Sequence, residues 1–208
     1  MWYVKGMMKR KIVPREFVRQ LPDAVGETYR LWADYMYEHV PFNMPDSVIH
    51  STAHSERVLL YALLMGHRLL PGDAYALEVL GHASIFHDTR REDDGTDRGH
   101  GGRAADFYET FCSEHGGLSY HPESACLMRY HDLDDTFGKE AIAALFAEQA
   151  EWVLLLYQIF KDADALDRYR LSPRGPHPKY LRTDAAFDLL GFAQLLVART
   201  HFPYRRRY

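Results

Sequence analysis

The feature that most constrains this chain is a predominantly apolar run, residues 80–86, that ends directly in His87 and Asp88. Such a run predicts the end of a buried helix, so the imidazole and the carboxylate are both expected in the protein interior. An isolated charge is costly to bury, and a bound metal cation would remove that cost. The run therefore predicts a helix that brings two metal ligands into the core.

Apolar residues recur at helical spacing along most of the chain, and no alternating strand pattern is present. The predicted helices cover residues 15–40 with a break at Pro22 and Asp23, then 47–70, 74–88, 100–115, 122–131, 139–150 and 184–199. A further helix reaches residue 169 and is either separate from the one over 139–150 or continuous with it. Polar loops are expected at 89–99, 133–138 and 172–178, with a lead-in over 1–14 and a tail over 200–208. The pattern predicts an all-α fold, a compact bundle of about six to nine helices in a single domain over residues 1–208.

Composition narrows the class of protein. The formal net charge of −4 argues against a general affinity for nucleic acid. The basic cluster Arg205-Arg206-Arg207 is interpreted as solvated terminal charge. Cys112 and Cys126 are too few for a disulfide framework and fit a reducing compartment. Because we find neither a signal-peptide pattern nor an apolar run long enough to span a bilayer, we predict a cytoplasmic protein without a membrane partner.

Further histidine and aspartate side chains are predicted on or beside apolar helix faces. They are His54, His100, His131 and Asp164. Taken singly, such residues have ordinary explanations: a hydrogen-bonded core histidine, a cation at a helix C-terminus, or a surface ion pair with Lys161 or Arg168. Taken together, nitrogen and oxygen ligands without a thiolate favour a divalent transition metal such as Mn, Fe, Co, Ni or Zn. The set is too large for one tetrahedral site and predicts either one octahedral ion or two adjacent ions.

The order and flanks of these residues resemble the HD-domain superfamily of metal-dependent phosphohydrolases. The family pattern is His, then His-Asp, then Asp, on an all-helical fold. The matching positions are His54 in the sequence His-Ser-Glu-Arg-Val, the pair His87-Asp88, and Asp164 in the sequence Asp-Ala-Asp-Ala-Leu. The resemblance covers about residues 48–170 and implies that the metal-binding core lies there.

Family members with two metals carry two more histidines between the His-Asp pair and the last Asp, and His100 and His131 resemble these. The resemblance implies that Asp88 bridges both metals. Asp162 is the alternative last ligand, and Asp164 is preferred because the family ligand stands in Ala-Asp-x-Leu. Three other histidines are interpreted differently: His82 as a structural residue, and His115 and His121 as loop residues.

The resemblance implies hydrolysis of a phosphate ester or anhydride, in a nucleotide or another small phosphorylated metabolite, by a metal-activated water. Asp88 is expected to hold the metals and to help orient that water. Phosphate oxygens need cations, and Arg91 and Lys161 are the first candidates among the basic residues near the ligands. The other candidates are Arg57, Arg90, Arg103 and Arg168.

Two alternatives to a phosphohydrolase stay open. An HD-fold di-iron oxygenase would use the same ligands, and a non-catalytic, metal-stabilised nucleotide-binding module would need no open water position. Arg91 stands where HD-type deoxynucleotide monophosphatases carry Glu, and the Gly-Tyr-Pro signature of cyclic-di-guanylate phosphodiesterases is missing. The sequence therefore leaves open the exact substrate, the native metal, whether one or two ions bind, and whether the chain forms a homo-oligomer.

Overall fold

The computed structural model describes residues 11–115 and 117–201. Within these residues the chain is helical and forms no β-strand, which confirms the predicted all-α fold. The helices are α1 (Arg15–Val18), α2 (Asp23–His39), α3 (Thr52–Leu69), α4 (Ala74–Phe86), α5 (His100–Glu114), α6 (Pro122–Tyr130), α7 (Asp135–Phe146), α8 (Ala150–Leu166) and α9 (Asp184–Thr200). Short 3-10 turns cover Ala147–Gln149, Asp167–Arg170 and Pro178–Tyr180. Most of the predicted lead-in and the Arg205-Arg206-Arg207 cluster lie outside the described residues.

The centre of the bundle is formed by α3 and α4. From Ala76 to its end at Phe86, α4 is buried at every position except Glu78. A helix that is apolar on nearly every side is stable only when other elements surround it. Accordingly, α4 packs against α2, α3, α6 and α8, while α3 also contacts α9. The helix that the sequence predicted to be buried is therefore the core of the fold.

Five helix ends meet where α4 finishes. His54 lies in the first turn of α3, His87 directly follows α4, and His100 begins α5. His131 directly follows α6, and Asp164 lies in the last turn of α8. Each predicted ligand is thus carried by a different helix, except for the pair at the end of α4. Packing of the helices, rather than a flexible loop, brings these side chains together.

The start of α3 differs from the prediction. This helix begins at Thr52 rather than near residue 47. The hydroxyl of Ser47 accepts hydrogen bonds from the backbone N–H groups of Ile49 (3.2 Å) and His50 (2.8 Å). Such a local side-chain turn competes with helix formation, so the helix starts later.

The prediction was also wrong about α7, which begins inside the expected loop over 133–138. The side chain of Asp134 accepts a hydrogen bond from the backbone N–H of Thr136 at 2.9 Å and so caps the helix. At its other end α7 is not continuous with α8. A 3-10 turn over Ala147–Gln149 separates them, and Ala147 has a positive φ of 29°. That conformation ends an α-helix.

One helical stretch, Asp135–Arg170, is long and apolar enough to cross a membrane when judged by length and composition alone. This contradicts the prediction that no apolar run approaches that length. The stretch is interrupted by the turn at Ala147–Gln149, and its second half carries the buried carboxylates of Asp162 and Asp167. In the bundle, α8 packs against α3, α7 and α9. Only 28% of its most apolar window is buried in the bundle, and length and composition alone do not distinguish a membrane span from a packed helix.

Candidate metal centre

The first half of the candidate centre is a pair of buried histidines, His54 and His87, whose Nε2 atoms lie 3.2 Å apart. Oδ2 of Asp88 is 3.4 Å from Nε2 of His54 and 3.8 Å from Nε2 of His87. Asp164 adds a carboxylate oxygen 3.2 Å from His54 Nε2. One ligand atom each of His54, His87 and Asp88 thus lies within 4.8 Å of the other two, and Asp164 joins this group through His54. Such a donor set suits a divalent transition metal.

The second half is the pair His100 and His131, whose Nε2 atoms lie 2.9 Å apart. Oδ1 of Asp88 is 3.1 Å from Nε2 of His100 and 3.9 Å from Nε2 of His131. The two oxygens of Asp88 therefore face opposite pairs of histidines. A carboxylate in this position can bridge two ions, which is the arrangement that the resemblance to HD-domain proteins implied.

The hydrogen bonds of the outer ring nitrogens determine where the histidine protons lie. Nδ1 of His87 is 2.8 Å from the carbonyl oxygen of Ser84, and Nδ1 of His131 is 2.6 Å from that of Met128. A carbonyl oxygen only accepts hydrogen bonds, so both Nδ1 atoms must donate. In a neutral ring the other nitrogen, Nε2, then carries a lone pair.

The remaining two histidines are held in the same tautomer. Nδ1 of His100 donates to the carbonyl oxygen of Asp97 at 2.7 Å, and Nδ1 of His54 donates to Oδ2 of Asp167 at 2.8 Å. When both rings of a pair are neutral, their two Nε2 lone pairs therefore face one another at hydrogen-bond distance. Metal-ligating histidines almost always use Nδ1 in this way. The residues of the centre fit a bound cation at each pair.

The two competing aspartates, Asp162 and Asp164, have different surroundings. The buried carboxylate of Asp162 accepts hydrogen bonds from the backbone N–H groups of Arg182 (3.0 Å) and Thr183 (2.8 Å) and from the Thr183 hydroxyl (2.9 Å). It therefore anchors the residues that start α9. Asp164 is the aspartate that lies beside His54, and about a third of its side chain (31%) is exposed.

A buried carboxylate that the sequence analysis missed, Asp167, holds the outer side of His54. Its two oxygens also accept hydrogen bonds from the guanidinium of Arg57 at 2.6 and 2.9 Å. All three side chains are at most 1% exposed. Arg57, a candidate phosphate ligand in the sequence, is therefore committed to a buried ion pair and is closed off from a substrate. The three-residue spacing from Asp164 was the available signal, because it places Asp167 near the same helix face.

Burial and mutual contacts determine the charges of the centre. Burial opposes ionisation of Asp88, but its contacts with His87, His100 and His54 outweigh that effect and hold the pKa of this carboxyl well below its usual value. Burial lowers the pKa of His87 to about 3 and also lowers the pKa of His131. Burial acts in the same direction on His100, but contact with Asp88 outweighs it and raises this pKa. Apart from His100, the groups are held in the forms that bind metals.

The metal-free protein is expected to lose stability as the pH falls below about 6.5. Burial lowers the pKa of His50 to about 4 and that of His82 to about 3, as it does for His87. These rings stay neutral in the folded state, so the unfolded state takes up protons first, and each ring contributes up to about 1.4 kcal/mol per pH unit. The raised pKa of His100 has the opposite effect on stability, but it concerns one ring against three.

Urea unfolding in the presence of a chelator, at about pH 7.5 and about pH 5.5, measures this effect. The free energy of unfolding is expected to be lower at the acidic pH. Equal values at the two pH values would contradict the neutral state of the buried rings.

Among the cations predicted near the ligands, Arg91 lies closest to the centre. Its Nη1 is 3.7 Å from Oδ1 of Asp88 and 3.2 Å from Nε2 of His100, while its Nη2 donates to the carbonyl oxygen of Gly95 at 2.7 Å. The side chain is only 5% exposed. Arg91 therefore fastens the loop after the His-Asp pair against the centre.

Lys161, the other first candidate, is already paired. Its ammonium lies 2.7 Å from Oδ1 of Asp135 and donates to the carbonyl oxygen of Leu133 at 2.7 Å. The same Asp135 carboxylate accepts two hydrogen bonds from Arg182, both at 2.8 Å. Arg182 also lies 3.2 Å from Oδ1 of Asp162, so the cluster holds two cations and two carboxylates.

Of the remaining candidate phosphate-binding cations, two have partners within the protein and one has none among the described residues. The guanidinium of Arg90 lies 3.2 Å from the ring centre of Phe107, and Arg103 pairs with Asp97 at 2.6 Å. Each contact therefore joins the loop that precedes α5 to that helix. Arg168 is exposed, and its side chain has no ionic partner among the described residues. It is the cation that is most accessible to a ligand.

A cavity of about 490 Å³ opens directly beside the centre. His131 and Asp164 form part of its wall, and Arg168, His177 and Tyr180 line it further out. Lys161 and Arg182 also contribute to the lining. A larger cavity, of about 1080 Å³, lies between the α1 region and α2 and is lined by other residues. The smaller cavity is therefore the one that gives a ligand access to the histidines.

Gly101 allows the second pair of histidines to approach each other. A Cβ atom at this position would lie 2.3 Å from the carbonyl oxygen of Met128 and 2.8 Å from Nδ1 of His131. The backbone carbonyl cannot move away without disturbing α6, so a side chain is excluded here. The glycine after His100 is therefore part of what builds the centre.

Comparison with known proteins returns no match: no family model, curated protein or solved structure is significantly similar to this chain. The functional argument therefore depends on the residues of the chain itself.

Proposed function

We propose that the chain is a metal-dependent phosphohydrolase of the HD-domain type, acting on a small phosphorylated metabolite. The observation that carries the proposal is the pair of facing imidazole lone pairs on each side of one buried carboxylate, Asp88. His54 and His87 with Asp164 would hold one divalent ion, and His100 and His131 would hold a second. The free thiols of Cys112 and Cys126 agree with a cytoplasmic location, which belongs to the same proposal.

Two divalent ions at this centre would lower the pKa of a shared water and offset the charge of the phosphate oxygens. Asp88 is ionised and buried, so it can keep both ion positions at a fixed separation. Asp167 and the carbonyl oxygens on each Nδ1 keep the rings in the tautomer that presents Nε2. The chain itself therefore supplies a rigid set of ligands beside the cavity, with the negative charge of Asp88 among them.

The wall of the cavity supports a phosphorylated ligand. Lys161 and Arg182 line it but are balanced by Asp135 and Asp162, whereas Arg168 is exposed and has no ionic partner among the described residues. Guanidinium groups bind phosphate oxygens with two parallel hydrogen bonds, so Arg168 would offer an approaching phosphate a cation in the same cavity as the metal centre. Of the predicted cations, Arg168 is now the first candidate, because Arg91 and Lys161 have internal partners.

The size and rim of the cavity support a nucleotide-sized ligand. A volume of about 490 Å³ is within the range of small-molecule sites. Tyr180 is 61% exposed at this rim, and the His177 ring centre lies 5.8 Å from its own. Exposed aromatic rings offer a stacking surface for a nucleobase. We therefore favour a nucleoside phosphate over a bare sugar phosphate.

The test is release of inorganic phosphate from a panel of nucleoside phosphates and sugar phosphates, with Mn, Fe, Co, Ni and Zn supplied in turn. Arg168→Ala is expected to lower kcat/KM by about 10- to 100-fold, the worth of one charge-assisted hydrogen bond. Arg15→Ala, at the larger cavity, is the matched control and should leave kcat/KM unchanged.

Three outcomes would contradict the proposal. Equal kcat/KM for the two arginine variants would show that the phosphate group of the substrate does not bind in this cavity. Oxygen uptake by the iron-loaded protein without phosphate release would indicate a di-iron oxygenase. Saturable nucleotide binding without turnover in any metal would indicate a binding module.

A further inference from the structure

A second group of potential ligands lies on the opposite side of α4. Glu78 and His82 are four residues apart on this helix and so share one face. His121, which directly precedes α6, joins them, and its Nε2 lies 3.2 Å from Oε1 of Glu78. One ligand atom from each of the three residues lies within 4.8 Å of the other two. His121 precedes its helix as predicted, but it is buried rather than an ordinary loop residue.

This group is separate from the centre at the end of α4. His82 stands five residues before His87, which corresponds to about 7.5 Å along the helix axis and about 140° around it. The ring of His82 accordingly packs against Trp32 and Tyr108, and the first centre contributes none of the three ligands.

His82 has a buried ring nitrogen, Nε2, without a hydrogen-bond partner in the described part of the chain. Its Nδ1 lies 2.7 Å from the hydroxyl oxygen of Tyr108. That hydroxyl donates to the carbonyl oxygen of Ser119 at 3.2 Å and accepts from the backbone N–H of His121 at 3.0 Å. With the single Tyr108 proton donated to Ser119, His82 Nδ1 donates to the hydroxyl oxygen and Nε2 carries the lone pair.

The ring of His121 is oriented in the same sense. Tyr75 donates its hydroxyl proton to the carboxylate of Glu123 at 3.0 Å and lies 3.2 Å from Nδ1 of His121. The Tyr75 oxygen therefore accepts from Nδ1–H, and the lone pair of a neutral His121 lies on Nε2, facing the Glu78 carboxylate. A chain that runs from imidazole through a hydroxyl to a carboxylate is a common support of metal-bound histidines.

One potential ligand atom from each of Glu78, His82 and His121 thus converges on this point. Burial lowers the pKa of His82 to about 3, so that ring stays neutral and available as a ligand at neutral pH. The 3.2 Å between Glu78 and His121 is close to the edge of a tetrahedron with bonds of about 2.0–2.1 Å. Glu78 is 42% exposed, so solvent can supply a fourth ligand.

We propose that Glu78, His82 and His121 form a second metal site, independent of the first centre, which takes a zinc-class divalent cation with water as its fourth ligand. Two imidazoles and one carboxylate are a donor set that zinc accepts in tetrahedral geometry. An ion here would link α4 to the start of α6. Those two helices carry His87 and His131, so the site would hold the two halves of the first centre in register.

Zinc titration of the metal-free, full-length protein tests this site, with binding followed by competition against a chromophoric chelator. Glu78→Gln is expected to weaken one zinc equivalent by about tenfold or more and to leave the other equivalents unchanged. Glu109→Gln, an exposed glutamate on α5, is the matched control. Zinc should also raise the Tm of the control more than that of Glu78→Gln, while the metal-free Tm values stay equal.

Indistinguishable zinc isotherms for Glu78→Gln and Glu109→Gln would overturn the second site. His121→Gln provides an independent variant, which must show the same loss, with far-UV circular dichroism as the check on folding. Because Glu78 does not touch the first centre, phosphate hydrolysis tests the proposed function separately. A protein that hydrolyses no phosphate but loses zinc in Glu78→Gln would still possess this site.

Discussion

Asp88→Ala is expected to abolish metal-dependent phosphate hydrolysis, with a loss of about 10³-fold or more in kcat, because the metals supply several kcal/mol to such reactions. The carboxylate contacts both histidine pairs, at 3.4 and 3.1 Å, so its removal affects both ion positions at once. The measurement is phosphate release at saturating metal, together with the metal content of the purified variant. The variant is expected to retain fewer metal equivalents than the wild type.

Asp106→Ala is the matched control, since this exposed aspartate on α5 pairs only with Arg129 at the surface. It should hydrolyse at the wild-type rate. If Asp88→Ala also kept that rate while remaining folded, the centre would have no role in catalysis and the phosphohydrolase proposal would fail.

Asp167→Asn is expected to produce the largest loss of stability. The substitution leaves Arg57 charged, 1% exposed and without a counter-ion, and breaking a buried pair in this way costs about 3–5 kcal/mol. For a chain of this length, each kcal/mol lowers Tm by about 2–4 °C. Urea unfolding and thermal melting of the metal-free protein measure the effect. Metal affinity should fall by about 10- to 100-fold as well, because Asp167 orients His54.

Asp188→Asn is the control for this prediction, since Asp188 pairs with Arg68 where both side chains are more than half exposed. An exposed pair contributes about 1 kcal/mol or less, so this variant should unfold close to the wild type. The double variant Arg57→Met/Asp167→Asn should recover part of the lost stability, because the buried charge of Arg57 is removed and only that of Arg170, 3.5 Å from Asp167, remains. A single Asp167→Asn variant as stable as Asp188→Asn would refute the account of this ion pair.

The sequence was sufficient to predict the helices that carry the centre. Apolar spacing identified α4, and the polar pair at its end marked where ligands would meet. The ordered set with His54 and Asp164 then identified side chains that the folded chain does bring together. This succeeded because ligand positions at helix ends follow from where apolar periodicity stops.

The supporting residues could not be predicted in the same way. Arg57 resembled a phosphate ligand because the sequence does not show that Asp167, 110 residues away, lies opposite it. His121 resembled a loop residue because its burial depends on how α6 packs on α4. The start of α7 was missed because the Asp134 cap, a local signal, was read as part of a polar loop. Long-range pairing of charges therefore limited the prediction more than helix propensity did.

The central claim is that two cations lie between paired histidines, and anomalous scattering from crystals grown with Mn²⁺ or Zn²⁺ tests it most directly. We expect one peak beside Nε2 of His54 and His87, a second beside Nε2 of His100 and His131, and the Asp88 carboxylate between them. Diffraction that reveals well-ordered side chains but no anomalous peak beside either pair would contradict the claim.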